Sequence, residues 1–363
     1  MKFTRFLPLA AIFTLACLLA AGPTGGGEAV FPSRSLQAQD SSRDKKPPLR
    51  RLDPAQAEEE NADKPKGRTS ISVSVDMVTL QVLVTDPKGG VITGLKPENF
   101  TVYEDGVKQE IVHFAPMDAN ITVVMLVEYS NNVSYFISDV WDAMYYFASS
   151  LRPGDWVAVV AYDIRPTILC DFTQDRQVLA DALRRFTYPA FDDSNLSDAL
   201  IFALERTQEI EGKVAILLIS TGLDTLSKHT YEEALQKCKE ANASVYAISV
   251  GQYFRLRAEA AGLISNLGNI ELLMADNRLR SFAEYTGGAA YFPRFPTELP
   301  AIFSNISQLL RSQYSIGYVS TNPKKDGKFR KIKVEVNANL LDNKGKPIKL
   351  KVTTRKGYVA RES

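Results

Sequence analysis

Three short polar segments gather the side chains most able to do chemistry. The first is Glu128-Tyr129-Ser130-Asn131-Asn132, the second runs from Asp192 and Asp193 through Ser194, Asn195 and Ser197 to Asp198, and the third is Ser220-Thr221-Gly222-Leu223-Asp224. Their donors are carboxylate, hydroxyl and amide oxygens. A hard divalent cation such as Mg²⁺ takes oxygen ligands of this kind, at about 2.0–2.1 Å and with little tolerance for distortion. The same groups can also satisfy one another, with Glu128 accepting from Ser130, Ser194 or Thr221. Catalytic arrangements are absent by comparison. Asp163 and Asp171 read as turn and strand-end residues. His113 and His229 are remote from any serine or cysteine at motif spacing. The glycine run 25–27 opens no strand–helix unit, so it is no phosphate loop. A hydrolase is therefore the remote reading.

The elements that must hold these loops follow from periodicity. Ile121–Val127 is an almost unbroken apolar run, as a strand buried on both faces requires. Phe136, Ile137, Val140, Trp141, Met144 and Phe147 then recur at helical spacing. Strands follow at Trp156–Tyr162, Thr167–Cys170, Val214–Ser220, Val245–Val250 and Ala290–Phe292. Helices are expected at 175–186, 196–210, 230–241, 271–286 and 297–312, with 252–270 a long surface loop. Strands alternating with helices call for a doubly wound, mostly parallel, Rossmann-like α/β sheet. In such a sheet ligands gather beyond the carboxyl ends of the strands, where all three polar segments fall.

Both flanks read differently. Residues 69–118 alternate apolar and polar positions (Ile71, Val73, Val75; then Val78, Leu80, Val82, Val84) and carry turns at Asp86–Gly90 and Glu104–Gly106. Residues 313–359 return to that pattern. Each half is too small for its own core, so the two are expected to form one antiparallel β domain around an inserted α/β domain at 119–312.

The order and spacing of the polar loops resemble a von Willebrand factor type A domain. That family places Asp-x-Ser-x-Ser after the first strand, a Thr in the second loop and Asp-Gly after the fourth strand. The resemblance implies a metal-ion-dependent adhesion site and a protein partner whose carboxylate completes the coordination of Mg²⁺ or another divalent cation. Carried onto this chain, the metal positions are Glu128, Ser130, Asn132, Ser194 and Thr221. Only Ser130 keeps the family's residue. Glu128 adds a methylene, and Thr221 removes a full negative charge, so the site reads as degenerate. Tyr129, Asn131, Asp192, Asp193 and Asp224 are the candidates for partner contact. The Tyr314-x-x-Gly317-Tyr318 strand and Gly357-Tyr358 also resemble flanking segments of bacterial proteins of this kind.

Bulk properties agree with a binding role. The chain has 363 residues, 45% of them hydrophobic, and a net charge of +1, which gives no electrostatic case for nucleic acid as partner. Lys2 and Arg5 precede the apolar run 7–21, which falls short of the about 20 residues a membrane span needs and reads as a signal peptide. Residues 22–68 read as a disordered linker, too polar to offset their ordering entropy. Of three cysteines, Cys170 and Cys238 follow the signal; they could pair in an oxidising compartment, and the favoured reading is two buried, unpaired thiols. The expectation is an exported module, in the periplasm, at the cell surface or beyond, that binds a protein at the top of its α/β domain and catalyses nothing. The alternative is a cell-envelope scaffold with an inert, metal-free top face.

Overall fold

The computed structural model describes residues 77–360, except 116–119, 185–190, 211, 261, 263–265, 339, 341–344 and 346. The signal and linker readings lie outside the described residues, as does the strand pattern at Ile71–Val75.

The central sheet has six strands in the order β10-β9-β8-β5-β6-β7. They are β5 (Ile121–Glu128), β6 (Trp156–Tyr162), β7 (Pro166–Thr173), β8 (Lys213–Ser220), β9 (Ser244–Ser249) and β10 (Ala290–Tyr291). Five are parallel, and only the edge strand β7 runs antiparallel, against β6. Every residue of β5 and β8 is buried, because helices cover both faces. The alternation of a strand sorts the apolar run between them. Val123, Met125 and Val127 face helices α1 (Ile137–Ser149) and α7 (Leu299–Arg311), while Val124 and Leu126 face α3 (Leu196–Arg206), α4 (Tyr231–Glu240) and α6 (Asn266–Thr286). Helix α2 (Arg176–Arg184) packs on β7. Cys170 and Cys238 are buried, and burial pushes the Cys238 thiol up.

The sequence reading of 252–270 as a loop is corrected. Helix α5 (Gly251–Ala260) occupies its first half, and α6 begins at Asn266. The polar and apolar residues of α5 have no clear helical stripe, so periodicity gives no signal there.

Two four-stranded antiparallel sheets use strands from both ends of the described chain. Strand β1 (Met77–Thr85) pairs with β11 (Tyr314–Val319) from Met77↔Val319 to Val82↔Tyr314. Strand β2 (Phe100–Glu104) pairs with β12 (Phe329–Val336). Short strands β3 (Val107–Gln109), β4 (Ile111–Ala115), β13 (Lys351–Thr353) and β14 (Gly357–Val359) complete the orders β13-β1-β11-β4 and β14-β12-β2-β3. Leu80, Val82, Val84, Phe100, Val102, Ile316 and Val334 form their shared core. The tyrosines of the flanking motif tie it together. Tyr314 Oη accepts from Leu95 N at 3.1 Å and donates to Ile92 O at 3.0 Å. Tyr318 and Tyr358 both donate to the buried carboxylate of Glu104, at 2.8 and 3.1 Å, and Ser320 adds a third bond at 2.6 Å. The antiparallel layers meet the α/β layers through Arg355 Nη2 to Lys239 O (2.8 Å) and Lys213 Nζ to Gln313 O (2.9 Å).

Candidate functional site

Parallel strands end side by side, so the segments that follow them share one rim. The loop after β5, the loop before α3 and the loop after β8 meet there through backbone bonds. Asn131 N donates to Phe191 O at 2.9 Å, Thr225 N to Ser194 O at 2.8 Å, and Tyr129 N to Tyr162 O at 2.6 Å. Asn195 N reaches Asp163 O at 2.8 Å. Gly222 makes the third turn possible. Its φ is +79°, and a Cβ there would sit 2.8 Å from Ala275 O.

Glu128 is the centre of the rim. It ends β5, is 1% exposed, and carries its carboxylate across to the start of the loop after β8. Oε1 accepts from Ser130 Oγ at 2.8 Å. Oε2 accepts from Thr221 N at 2.7 Å, Thr221 Oγ1 at 2.8 Å and Ser220 Oγ at 2.9 Å. The Ser220 hydroxyl in turn accepts from Tyr162 Oη and from Gly222 N, both at 2.8 Å. A carboxylate removed from water costs several kcal/mol unless charge-assisted hydrogen bonds replace its hydration, and here four protein donors do so. Burial is the largest influence on Glu128 and raises its pKa above the usual glutamate value, against the lowering effect of the bonds from Ser130, Thr221 and Ser220. Burial, followed by the negative charge of Glu128, pushes the Tyr162 phenol far up.

The remaining predicted residues divide. Ser194 is fully buried, and its hydroxyl faces the Tyr162 phenol. It does not donate to Glu128, unlike Ser130 and Thr221. Asn132 is turned sideways, with Nδ2 on Asp192 O at 3.0 Å, and Asn131 Nδ2 bonds Asp192 Oδ1 at 2.8 Å. Asp224 points toward the start of α3, where its Oδ2 accepts from Ser197 N at 3.1 Å and from Ser197 Oγ. Its Oδ1 is buried with no partner. Asp193 is half-buried, and the Tyr129 ring lies 6.4 Å from that of Trp141. The structure thus brings Glu128, Ser130 and Thr221 into direct contact, places Ser194 beside them through Tyr162, and sends Asn132, Asp192 and Asp224 to loop-to-loop contacts.

Sequence reasoning passed over Tyr162 and gave Ser220 no role. The signal for Tyr162 was a single hydroxyl at the carboxyl end of an otherwise apolar strand. Ser197 was likewise given no role, and Thr225 was missed. Thr225 Oγ1 accepts from Ser194 N at 3.0 Å.

These residues do not fit the divalent cation that the family pattern implies. Of the five positions only Glu128 carries charge, and its two oxygens are already taken by four donors. Thr221 donates to it where the pattern has an acid, and Asn132 faces the neighbouring loop. The other oxygens, on Ser130, Asn132 and Ser194, are neutral, and neutral oxygens alone do not offset the dehydration of Mg²⁺. Among the described residues, no three acidic, His or Cys side chains are grouped to share a metal ion.

Residues 122–264 match the family model of the von Willebrand factor type A domain. No curated protein matches the chain. Among solved structures, an aerotolerance-related membrane protein from Bacteroides fragilis is similar at 15% identity, covering 53% of this chain and 98% of that one, with a TM-score of 0.41. The vWF domain of the type V pili tip protein Mfa5 from Porphyromonas gingivalis is similar at 15% identity, covering 53% and 95%, with a TM-score of 0.40. Proximal thread matrix protein 1 from the mussel byssus is similar at 14% identity, covering 53% and 49%, with a TM-score of 0.41. The alternating strands and helices, the polar rim at their carboxyl ends and the family match agree, and the chain carries a von Willebrand factor type A domain.

Proposed function

We propose that this protein is an exported, adhesion-type interaction module that binds a protein partner on the carboxyl-end rim of its type A domain, with a degenerate metal site and no catalytic activity. Type A domains mediate protein–protein interactions. The observation that carries the reading is the rim itself. Three loops from distant stretches of chain are bonded into one surface, whose outer positions are polar residues interleaved with large apolar ones. Asn131 and Asp192 are exposed, Phe191 is 46% exposed and Leu226 61% exposed. An apolar side chain held in water beside rigid polar groups is what a docking surface needs. Tyr129, Asn131, Asp192, Asp193 and Asp224 are the proposed contact residues.

Export rests on Lys2, Arg5 and the apolar run 7–21, with residues 22–68 as the spacer. The folded part is read as one β domain built from 69–118 and 313–359, with the type A domain at 119–312 between its halves. Among the described residues no helix is long and apolar enough to cross a membrane. The second reading, an envelope scaffold with an inert top face, draws support from the closed network around Glu128.

The two readings separate by cross-linking in the native envelope. Wild type, Asp192→Arg and Leu226→Asp are compared for the partner they retain. The interaction reading expects both variants to lose it while melting normally. Identical retention by all three moves binding away from the rim.

A further inference from the structure

The charge of the rim has one sign. The segments 128–134, 191–198 and 220–227 contain five carboxylates (Glu128, Asp192, Asp193, Asp198 and Asp224) and no Lys, Arg or His. Two of the five are spent within the fold. Glu128 is buried under its four donors. Asp198 accepts from Lys228 N, His229 N and His229 Nδ1, at 3.0, 3.0 and 2.7 Å. Asp192 is exposed, and Asp193 and Asp224 are half-buried. Cations stand behind or beside these loops. Arg278 Nη1 donates to Gly222 O at 3.3 Å with its guanidinium over the Tyr231 ring, Lys228 and His229 follow the third loop, and the exposed Arg165 lies on the 163–165 turn to which Asn195 is bonded.

A partner carboxylate has nothing to meet here: no metal ion that the residues can hold, and no positive side chain within the loops. A basic side chain meets the exposed Asp192 carboxylate and the half-buried Asp193 and Asp224, and Phe191 and Leu226 can cover its aliphatic stem.

We infer that this rim works without a divalent cation and takes a basic, apolar-flanked segment of its partner, an Arg or Lys set between hydrophobic residues. The inference rests on the reading of the rim as a docking surface. Glu128 then has a positioning role: it joins β5 to the loop after β8 with an internal charge, so the surface is assembled before the partner arrives.

The test uses the mature protein and calorimetric titration with four probes: MgCl2, MnCl2, an acetylated Leu-Arg repeat peptide, and a Leu-Glu repeat peptide of equal length. The peptides are titrated in EDTA and again in excess Mg²⁺. The expected result is no saturable metal heat and no Leu-Glu binding in either buffer. The Leu-Arg peptide should bind equally in both, and Asp192→Asn/Asp193→Asn should weaken it about fivefold to tenfold, the loss of two partly exposed charge pairs. Asparagine keeps the oxygen that Asn131 donates to, so the loop is retained, and an unchanged melting curve confirms it. Saturable metal binding, Leu-Glu binding that needs Mg²⁺, absent Leu-Arg binding, or a Leu-Arg affinity indifferent to the double variant would each overturn the inference. Failure of the interaction reading itself shows separately, as partner retention unaffected by rim substitutions.

Discussion

At the scale of single residues, the reach of Glu128 decides what kind of site this is. Its extra methylene, relative to aspartate, lets a carboxylate anchored on β5 bond directly to Thr221 N and Oγ1. Thr221 can donate where an aspartate at that position could only repel. The two departures from the family pattern therefore compensate each other, which no position-by-position reading reveals. The pH dependence has a defined sign. Burial raises the Glu128 pKa in the folded state from its ordinary 4.5. Its contribution to stability is then fully present below that ordinary value and is lost as pH rises through the folded value. Glu128→Gln removes this dependence. Urea titrations at a series of pH values from about 4 to 7 should show the wild type losing stability relative to Glu128→Gln as pH rises. A constant difference between the two would mean that the carboxylate is not desolvated as described.

At the scale of elements, the turns that form the rim were legible as polar segments but not as geometry. Gly222 has φ +79°, and the space a Cβ would take is filled by Ala275 O at 2.8 Å. Gly222→Ala should cost about 2–3 kcal/mol, combining left-handed strain with a backbone collision. Chemical denaturation measures it, and a loss below about 0.5 kcal/mol, the range of an ordinary surface change, would show that the loop relaxes freely. The legible elements were those with a strong period or an unbroken apolar run. Ile121–Val127 and Val214–Ser220 announce buried strands because helices cover both faces of the sheet. Helix α5 gave no such signal, as the apolar residues of its sequence recur at no regular helical spacing. Strand β7 was recognised at Thr167–Cys170 but runs on to Thr173, where Asp171 is exposed on the edge and meets Arg206. Its antiparallel direction depends on the short turn at 163–165.

At the scale of the whole molecule, the pairings β1–β11 and β2–β12 join segments more than 200 residues apart. Composition suggested that the two flanks need each other, since neither could close a core alone. The register could not be read, because it depends on which faces meet after the intervening domain has folded. A chain ending at residue 312 lacks β11 and β12, and exposes Leu80, Val82, Phe100 and Val102. It should retain helical circular dichroism but bind a hydrophobic dye and self-associate in gel filtration. A monodisperse, dye-negative product would mean that the flank does not depend on its distant partner. Tyr318 and Tyr358 were visible only as motif residues. Their convergence on Glu104 follows from three strands meeting, which lies beyond the reach of local pattern.

An internal carboxylate, Glu128, stands where a cation would otherwise join the loops. Diffraction from crystals grown in MnCl2, with anomalous maps calculated around the rim, tests this directly. The prediction is that no anomalous peak lies among Glu128, Ser130, Ser194 and Thr221, with the Glu128 carboxylate in contact with Thr221. A manganese peak bonded to Ser130 and Ser194, with Glu128 drawn away from Thr221, would contradict it.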